Sequence, residues 1–352
     1  SVNTELSWQA LFANNMFVTT NNNSAEPDWI LYCAPGAQEE PRVLVNLDRQ
    51  EILITGTYYA GEIKKSVFTV LNYLLPQKDV LPMHCSVNTA KDGSKPAVFF
   101  GLSGTGKTTA LKMALSVWGD EHGWSSEGLF NFEGGCYAKV INLSRDAEPQ
   151  IWNACQKEGS ILENVIIKEG IPDFADSQIT ENTRSSYDIS LIDDASKTGI
   201  CGHPDNVIFL TCDAFGVLPP VSKLTREQAV QHFVMGYTAK VAGTESGVLE
   251  PQATFSHCFG APFMPMRVET YAKLLENKVS NHDVDCWLVN TGWSGGGYGV
   301  GERMPISVSR KIIREIVSGR LSKRWFVTHL LTGLSIPHHL DPEVDEYLQP
   351  ER

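Results

Sequence analysis

The residues with the clearest chemical meaning form a glycine-rich segment before the middle of the chain. Residues 101–108 read GLSGTGKT and match the phosphate-binding pattern G-x-x-x-x-G-K-[ST] at every specified position. The apolar run Ala97-Val98-Phe99-Phe100 predicts a buried strand before it, and the altered periodicity predicts a helix over 107–115. Glycines let the backbone point its N–H groups at phosphate oxygens, and the helix N-terminus adds partial positive charge. The sequence therefore predicts a nucleoside triphosphate site.

Individual residues of this segment have distinct expected roles. We expect Lys107 to reach the β- and γ-phosphates and the Thr108 hydroxyl to hold Mg²⁺. The other predicted nucleotide-binding residues here are Leu102, Ser103, Gly104, Thr105, Gly106 and Thr109. The alternative is a glycine-rich turn that matches the pattern by chance. The predicted strand before the segment and the helix after it count against that alternative.

Charged residues around this segment suggest a second group of functional side chains. Lys64 and Lys65 begin a predicted helix over 61–75, where lysines oppose the helix dipole. They are either a solvated pair or the neighbours of an anion or a metal. His84, in a predicted strand, is either a hydrogen-bonded core histidine or a ligand. Asp120 and the acid after it lie where a metal-holding carboxylate is expected downstream of such a segment.

The composition and net charge of the chain exclude some classes of protein. The chain has 352 residues, enough for one large or two ordinary domains. Its 29 Lys+Arg against 41 Asp+Glu give a formal net charge of −12, which argues against a general nucleic-acid-binding surface. An anionic substrate must therefore meet a local cluster of positive charge. The sequence has no basic start with a long apolar core and no apolar run of about 18 residues, so we expect no signal peptide and no membrane span.

The cysteines indicate a reducing environment. They lie at positions 33, 85, 136, 155, 201, 212, 258 and 286 and form no C-x-x-C pair. This scatter argues against a structural zinc site and against a disulfide framework. We expect reduced thiols in a cytoplasmic protein.

The periodicity of the chain predicts a mixed α/β or α+β fold, because several short strands accompany each helix without regular alternation. Strands are predicted at 29–33, 42–46, 51–56, 81–87, 97–100, 129–141, 161–171, 207–213 and 285–291. The further predicted helices span 225–240, 268–278 and 307–318. Residues 1–30 are polar, and no helix is predicted there.

The motifs, in their order along the chain, resemble those of the ATP-dependent phosphoenolpyruvate carboxykinases. The matching segments are YAGEIKKSVFTVLNYLLP (59–76), MHCS (83–86), FFGLSGTGKTT (99–109), DEHGWSSEGLFNFEGGCYAK (120–139), TENTR (180–184) and FLTCDAFGVLPPVSKLT (209–225). The similarity runs from about residue 11 to residue 337. It implies a P-loop nucleotide-binding catalytic domain over 80–352 and the remnant of a substrate-side α/β domain over 1–79.

The resemblance also implies a role for each matching residue in turn. Lys65, His84 and Asp120 would bind Mn²⁺, and Thr108 with the triphosphate would hold Mg²⁺. Lys107 and Lys139 would neutralise the phosphoryl group in transit.

On the substrate side, the resemblance implies that Arg184 bridges the phosphoryl group to the acceptor, with Tyr59 near the CO₂ site. Lys64 is grouped with the nucleotide-binding residues. Arg303, Met304 and Ser309 fall where the family holds adenine and ribose.

The implied reaction converts oxaloacetate and ATP to phosphoenolpyruvate, ADP and CO₂, a lyase and kinase reaction of gluconeogenesis on a small-molecule substrate. Two departures from the family pattern bear on it. Where the family reads Gly-Asp-Asp-Glu-His, residues 119–122 read Gly-Asp-Glu-His, so one of two neighbouring acids is absent. Residues 1–79 offer no counterpart of the arginine that clamps the oxaloacetate carboxylate. The alternatives are a kinase for a different small-molecule or protein acceptor, a nucleotide-binding module without catalysis, or a partner chain that completes the pocket.

Overall fold

The computed structural model describes residues 1–19, 26–102, 105, 116–193, 195–196, 198–240 and 250–348. Most of the phosphate-binding segment lies outside these residues, as does the predicted helix over 107–115. The expectations for Ser103, Gly104, Gly106, Lys107, Thr108 and Thr109 therefore stay predictions. Among the described helices, none combines the length and the apolar character needed to cross a membrane.

The strands of the described residues are short and numerous. In chain order they are β1 Val2–Thr4, β2 Ile30–Ala34, β3 Arg42–Asn46, β4 Glu51–Thr55, β5 Leu81–Thr89, β6 Ala97–Phe100, β7 Ser116–Trp118, β8 Glu121–Trp124, β9 Leu129–Asn131, β10 Gly135–Lys139, β11 Ile161–Glu163, β12 Ile166–Lys168, β13 Ile171–Asp173, β14 Arg184–Asp188, β15 Ile200–Cys201, β16 Asn206–Thr211, β17 Val221–Leu224, β18 Tyr237–Lys240, β19 Gln252–Phe255, β20 Asp285–Asn290, β21 Trp293–Ser294, β22 Glu302–Arg303, β23 Phe326–Thr328 and β24 Ser335–Pro337.

Helices lie between these strands. The described α-helices are α1 Ser7–Met16, α2 Gly61–Leu74, α3 Pro149–Cys155, α4 Arg226–Met235, α5 Val268–Asn281, α6 Ile306–Val317 and α7 Pro342–Leu348. Short 3₁₀ helices span Pro35–Ala37, Pro76–Lys78, Ile189–Leu191, His257–Phe259, Ala261–Phe263 and Leu321–Lys323. The mixture of helices and mixed sheets confirms the predicted fold class.

The chain divides into two compact units, and the first comprises Ser1–Leu74 and Phe132–Lys197. One of its sheets has the order β1-β2-β4-β3, with β3 antiparallel to β4 and the other pairs parallel. Its core joins residues of this sheet to α1 and α2, including Phe12, Ile54 and Ile63. A second, antiparallel sheet has the order β10-β14-β11.

The second unit comprises Leu75–Asn131 and Thr198–Arg352 and contains a large mixed sheet of order β15-β9-β8-β5-β6-β16-β20-β17-β24-β23. Strands β6, β16 and β20 are parallel neighbours and buried on both faces, which explains their continuous apolar sequences. One face of the sheet contributes to a core with Val98, Phe100, Val207, Phe209, Phe233 and Leu275. The opposite face contributes to a core with Phe99, Ile208, Trp287, Ile312 and Ile313.

Several predicted elements end at different residues from those expected. The strand predicted over 161–171 is wrong, because Asn164 (φ 60°), Glu169 (φ 52°) and Gly170 (φ 80°) turn the chain, so that β11, β12 and β13 replace it. The strand predicted over 129–141 is divided into β9 and β10. The helix predicted over 225–240 ends at Met235, because Gly236 adopts the left-handed conformation of a helix C-cap and β18 follows.

Helix α1 was not predicted from the sequence, since no helix was expected over residues 1–30. In α1, Trp8, Leu11, Phe12 and Met16 follow helical spacing, and Phe12 and Met16 are fully buried. The polar residues between these positions weaken the apolar periodicity by which a helix is predicted from a sequence.

The division into units also differs from the predicted boundaries at 79 and 80. Residues 132–197 return to the first unit because they pack on α1. The amide of Asn15 donates to the carbonyl of Gly159 at 2.9 Å, and the Gly134 N–H donates to the Met16 carbonyl at 2.8 Å. A substrate-side role for this unit stays a prediction.

The start of α4 offers a test of local stability. Thr225 Oγ1 accepts the Gln228 N–H at 3.2 Å, and Gln228 Oε1 accepts the Thr225 N–H at 2.9 Å, forming a capping box. We expect Thr225→Ala to destabilise α4 by about 1 kcal/mol because it removes the side-chain acceptor. Hydrogen–deuterium exchange of the α4 amides should then be roughly fivefold faster, because about 1 kcal/mol near room temperature corresponds to that factor in an equilibrium constant. Thr225→Ser keeps the hydroxyl and should exchange like the unmodified protein; equal acceleration in both variants would contradict the capping role.

Candidate functional site

The first unit carries a row of charged side chains across its antiparallel sheet. Lys139 on β10 pairs with Arg184 on β14, and Arg184 pairs with Glu163 on β11. Directly paired residues in antiparallel strands project from the same face of the sheet. The backbone register therefore places the two cations side by side, with one carboxylate beside them. The sheet thus brings together Lys139 and Arg184, two predicted site residues that are 45 positions apart in the sequence.

Tyr137 and Glu163 connect this row to the chain before α2. The Tyr137 hydroxyl donates a hydrogen bond to Glu163 Oε2, and the Ala60 N–H donates to Glu163 Oε1 at 2.8 Å. The Tyr59 and Tyr137 rings lie 6.2 Å apart, and the Arg184 guanidinium carbon lies 5.5 Å from the centre of the Tyr137 ring. These contacts link predicted and unpredicted site residues in one cluster.

Burial controls the protonation of this cluster. Desolvation is the main cause that raises the pKa of Tyr137, with the negative charge of Glu163 as a further cause, so the phenol remains protonated. Burial likewise raises the pKa of Glu163, opposed by the Tyr137 and Ala60 hydrogen bonds and by the charge of Arg184. A protonated phenol can donate, and Glu163 Oε2 is its acceptor.

The close approach of Tyr59 explains the glycine that begins α2. A Cβ on Gly61 would lie 2.4 Å from atoms of the Tyr59 ring. A cavity of about 400 Å³ lies on this side of the unit, with Glu163 in its wall. It is lined by Trp8, Tyr58, Tyr59, Ile161, Leu162, Glu163 and Asn164.

The lysine pair at the start of α2 has two different environments. Lys64 Nζ contacts Glu133 Oε1 at 2.6 Å, and both side chains are buried, with 5% and 4% of their surface exposed. Lys65 is half-buried, and its Nζ lies 5.5 Å from the centre of the Phe68 ring. The pair is therefore not simply solvated, and Lys64 has an internal carboxylate partner.

In the second unit, His84 and Asp120 lie together. His84 on β5 is opposite Glu121 of β8, and this register brings the preceding Asp120 to the histidine. His84 Nε2 lies 2.8 Å from Asp120 Oδ2, while Nδ1 lies 3.0 Å from the Phe259 carbonyl oxygen. The carbonyl can only accept, so Nδ1 carries the proton that it receives.

This arrangement fits a cation. Because Nδ1 donates to the carbonyl, Nε2 is the nitrogen that faces the carboxylate, and at 2.8 Å the two atoms share either the proton of an ion pair or a cation. A histidine that donates its other N–H to a backbone carbonyl is the usual arrangement of a metal ligand. Within the described ranges no group of three or more His, Cys, Asp or Glu side chains could hold a metal ion. The His84–Asp120 pair offers two ligand atoms of suitable chemistry, an imidazole nitrogen and a carboxylate oxygen.

The Phe259 carbonyl is held by an unusual backbone conformation. Cys258 and Phe259 have φ angles of 55° and 58°, in the left-handed region that non-glycine residues rarely adopt. Both side chains are buried in the core of the second unit, where the Phe259 ring lies 5.7 Å from that of Phe100. The core thus fixes the carbonyl to which His84 binds.

Leu102 and Thr105, both in the phosphate-binding segment, follow β6 in the chain. Thr105 is buried, and its hydroxyl donates to the Leu102 carbonyl at 2.8 Å. The Thr291 hydroxyl donates to the Thr105 carbonyl at 3.1 Å, which ties the segment to the end of β20. Thr105 and Leu102 therefore follow the predicted strand–turn order.

The three residues expected near adenine and ribose follow β20. The Arg303 guanidinium carbon lies 5.5 Å from the centre of the Trp293 ring, and Arg303 pairs with Trp293 between β21 and β22. Met304 is buried, and its N–H donates to the Gly292 carbonyl at 2.8 Å. Ser309 is buried on α6. These residues share the second unit with Thr105.

Four residues of these clusters were not identified as site residues from the sequence: Glu163, Glu133, Asp213 and Tyr137, which donates to Glu163. Asp213 follows β16 and is buried; its carboxylate accepts the N–H groups of Phe215, Val217 and Leu218 and the Tyr237 hydroxyl. An acid directly after a buried strand was a usable signal for Asp213. Glu163 has no such signal, because its partners are distant in sequence.

The comparison with known proteins agrees with these motifs. A family model described as phosphoenolpyruvate carboxykinase matches residues 1–346, nearly the whole chain. The chain belongs to the ATP-dependent phosphoenolpyruvate carboxykinase family. The resemblance stated from the motifs is thereby confirmed.

Curated relatives in this family carry the name phosphoenolpyruvate carboxykinase (ATP). The protein of Agrobacterium fabrum is 50% identical, with 99% of this chain and 67% of the relative covered. Those of Geobacter metallireducens and Geobacter sp. strain M21 are 52% and 54% identical; the matches cover 99% and 95% of this chain and 69% and 66% of the relatives. The chain thus spans about two thirds of the length of these carboxykinases.

The buried Lys64–Glu133 pair of this carboxykinase family member can be tested by stability measurements. Glu133→Gln keeps the shape but leaves the Lys64 ammonium buried without its carboxylate, so we expect a loss of about 3 to 5 kcal/mol. Urea denaturation followed by circular dichroism measures this loss. The double variant Lys64→Met/Glu133→Gln should recover part of it, because neither residue of the pair is then charged. Additive losses in the double variant would show that the two side chains act independently.

Proposed function

We propose that this protein catalyses the ATP-dependent conversion of oxaloacetate to phosphoenolpyruvate, ADP and CO₂. The single observation that carries the proposal is the family match over nearly the whole chain, joined to relatives named phosphoenolpyruvate carboxykinase (ATP) at about 50% identity. ATP is the phosphoryl donor, and the product places the reaction in gluconeogenesis. The acceptor is a small dicarboxylate.

The residues of the first unit supply positive charge for this reaction. Phosphoryl transfer depends mainly on positioning and on neutralising the charge that develops on the phosphoryl oxygens. Lys139 and Arg184 are cross-strand neighbours on one face of a sheet, which supports a joint role in binding the anionic groups. We assign Arg184 to the bridge between phosphoryl group and acceptor, and Tyr59 to the CO₂ side. Lys107 keeps its proposed role at the β- and γ-phosphates.

The proposed metals are Mn²⁺ and Mg²⁺. His84 and Asp120 are proposed to hold Mn²⁺, supported by the Nε2–Oδ2 distance of 2.8 Å and by the protonated Nδ1. Lys65 keeps its proposed role as a metal ligand, and Thr108 its role toward Mg²⁺. Bound divalent cations supply Lewis-acid charge for an enolate oxygen and for phosphate oxygens. The protein's part is to hold the imidazole ring with Nδ1 on the Phe259 carbonyl and Nε2 beside the carboxylate of Asp120.

In the second unit, the proposed adenine and ribose contacts come from Arg303, Met304 and Ser309, and the phosphates are assigned to the segment around Thr105. Lys64 was grouped with them from the resemblance. Its buried contact with Glu133 supports an indirect role, in which it fixes the first turn of α2.

A reducing compartment, such as the cytoplasm, is proposed for the protein. All eight cysteines are free thiols, and all except Cys136 are buried. A chain with this many unpaired thiols is typical of such a compartment.

The reaction is tested with purified protein, ATP, Mn²⁺ and oxaloacetate, measuring phosphoenolpyruvate directly. We expect product from the unmodified protein and a loss of kcat/KM of about 10³-fold for Arg184→Ala, the scale of removing a transition-state arginine in phosphoryl transfer. Arg145→Ala, an exposed arginine of the same unit, is the matched control and should retain full activity. No phosphoenolpyruvate under conditions where ATP binds would contradict the proposed function.

The metal assignment is tested without turnover. In titrations of Mn²⁺ followed by the electron paramagnetic resonance signal of the free ion, His84→Ala should weaken Mn²⁺ binding by at least about 10-fold, because a ligand nitrogen is removed. His338→Ala, an exposed histidine of the same unit, serves as the control. Equal Mn²⁺ affinity in both variants would remove His84 from the proposed ligand set.

A further inference from the structure

We propose that Glu163 is a positioning residue for this reaction, acting through the hydroxyl of Tyr137 and the backbone at the start of α2. The role rests on the proposed function, and it gives a task to a buried carboxylate that no motif identified. Glu163 is 9% exposed and lies at the end of the edge strand β11.

The two carboxylate oxygens of Glu163 bind different parts of the unit. Oε1 accepts the Ala60 N–H, one residue before α2 begins, at 2.8 Å. The N–H groups at a helix start lack partners within the helix, and a carboxylate there also interacts favourably with the helix dipole. Glu163 thus anchors the end of α2 that carries Lys64 and Lys65.

The second oxygen determines how the Tyr137 hydroxyl is oriented. Oε2 accepts the hydroxyl proton of Tyr137, so the phenol oxygen keeps its lone pairs for another donor. The Tyr59 ring faces this phenol, with the two ring centres 6.2 Å apart. By fixing the phenol, Glu163 fixes the ring against which Tyr59, assigned to the CO₂ side, is packed, without itself contacting substrate.

The same carboxylate lies beside the catalytic cations. Glu163 is the cross-strand neighbour of Arg184, whose charge stabilises the ionised carboxylate. Arg184 also lies over the Tyr137 ring and is held by Asn182, whose Oδ1 accepts the Arg184 Nε–H at 2.8 Å. Tyr137 and Glu163 therefore form the surface against which the guanidinium is placed.

A substitution that preserves shape separates positioning from packing. In Glu163→Gln the amide oxygen can still accept the Ala60 N–H, but the NH₂ group then faces Tyr137 and reverses the direction of that hydrogen bond. We expect kcat to fall about 10- to 100-fold, the scale of small misplacements in a reactive arrangement. The KM for ATP should stay within about twofold, since nucleotide-binding residues are untouched.

The test is a double-mutant cycle on the full chain with Glu163→Gln, Tyr137→Phe and the double variant, measuring kcat, both KM values and the urea midpoint. If Glu163 acts through Tyr137, the double variant should lose no more kcat than Tyr137→Phe alone. Glu158→Gln, an exposed glutamate of the same unit, is the control and should keep the kcat of the unmodified protein.

Three results would overturn the role. The first is an unchanged kcat in Glu163→Gln, and the second is a kcat loss in the double variant equal to the product of the two single losses. The third is a kcat loss that is explained by unfolding, as shown by a lowered urea midpoint. Should Glu163→Gln fail to fold, Tyr137→Phe alone decides, because it must show the same kcat loss. An inactive unmodified protein contradicts the proposed function and with it this role, whereas an active protein that tolerates Glu163→Gln contradicts the role of Glu163 alone.

Discussion

The backbone register of three short antiparallel strands is the constraint on which the candidate site of the first unit depends. Pairing of β10 with β14 and of β14 with β11 sets Lys139, Arg184 and Glu163 in one row. A slip of one residue in either pairing would turn a member of the row to the opposite face. That opposite face packs on a separate core, which contains Tyr187 and Phe174, and this burial holds the register in place.

The second unit achieves a similar degree of order by different means. His84 is directed by one backbone carbonyl and one carboxylate, and the latter comes from the residue before a paired strand. The carbonyl accepts the proton of Nδ1, so Nε2 is the nitrogen that faces Asp120. The core and the strand register thus hold the ring in one orientation, and a group that is already ordered loses less freedom on binding.

The sequence was most informative where chemistry depends on residues close together in the chain. The buried strand β6 was predicted from local pattern and is confirmed, and the phosphate-binding pattern that follows it stays a prediction. The strand predicted over 161–171 was wrong because Asn164 and Glu169 adopt left-handed conformations that their residue types do not announce. Helix α1 was missed since polar residues interrupt its apolar positions. Glu163 could not be predicted as a site residue, because its partners Ala60 and Tyr137 lie 103 and 26 positions away.

The left-handed pair Cys258 and Phe259 has a consequence for how this fold could vary. Each such residue costs of order 1–3 kcal/mol and persists only where its surroundings over-determine it. Here the surroundings are aromatic: the Phe259 ring lies 5.7 Å from Phe100 and 5.9 Å from Phe209. An aromatic cluster in the interior therefore holds the carbonyl to which His84 Nδ1 donates. A substitution at Phe100 or Phe209 that relaxes this peptide group would shift the imidazole, so that interior packing and the orientation of His84 must evolve together in this unit.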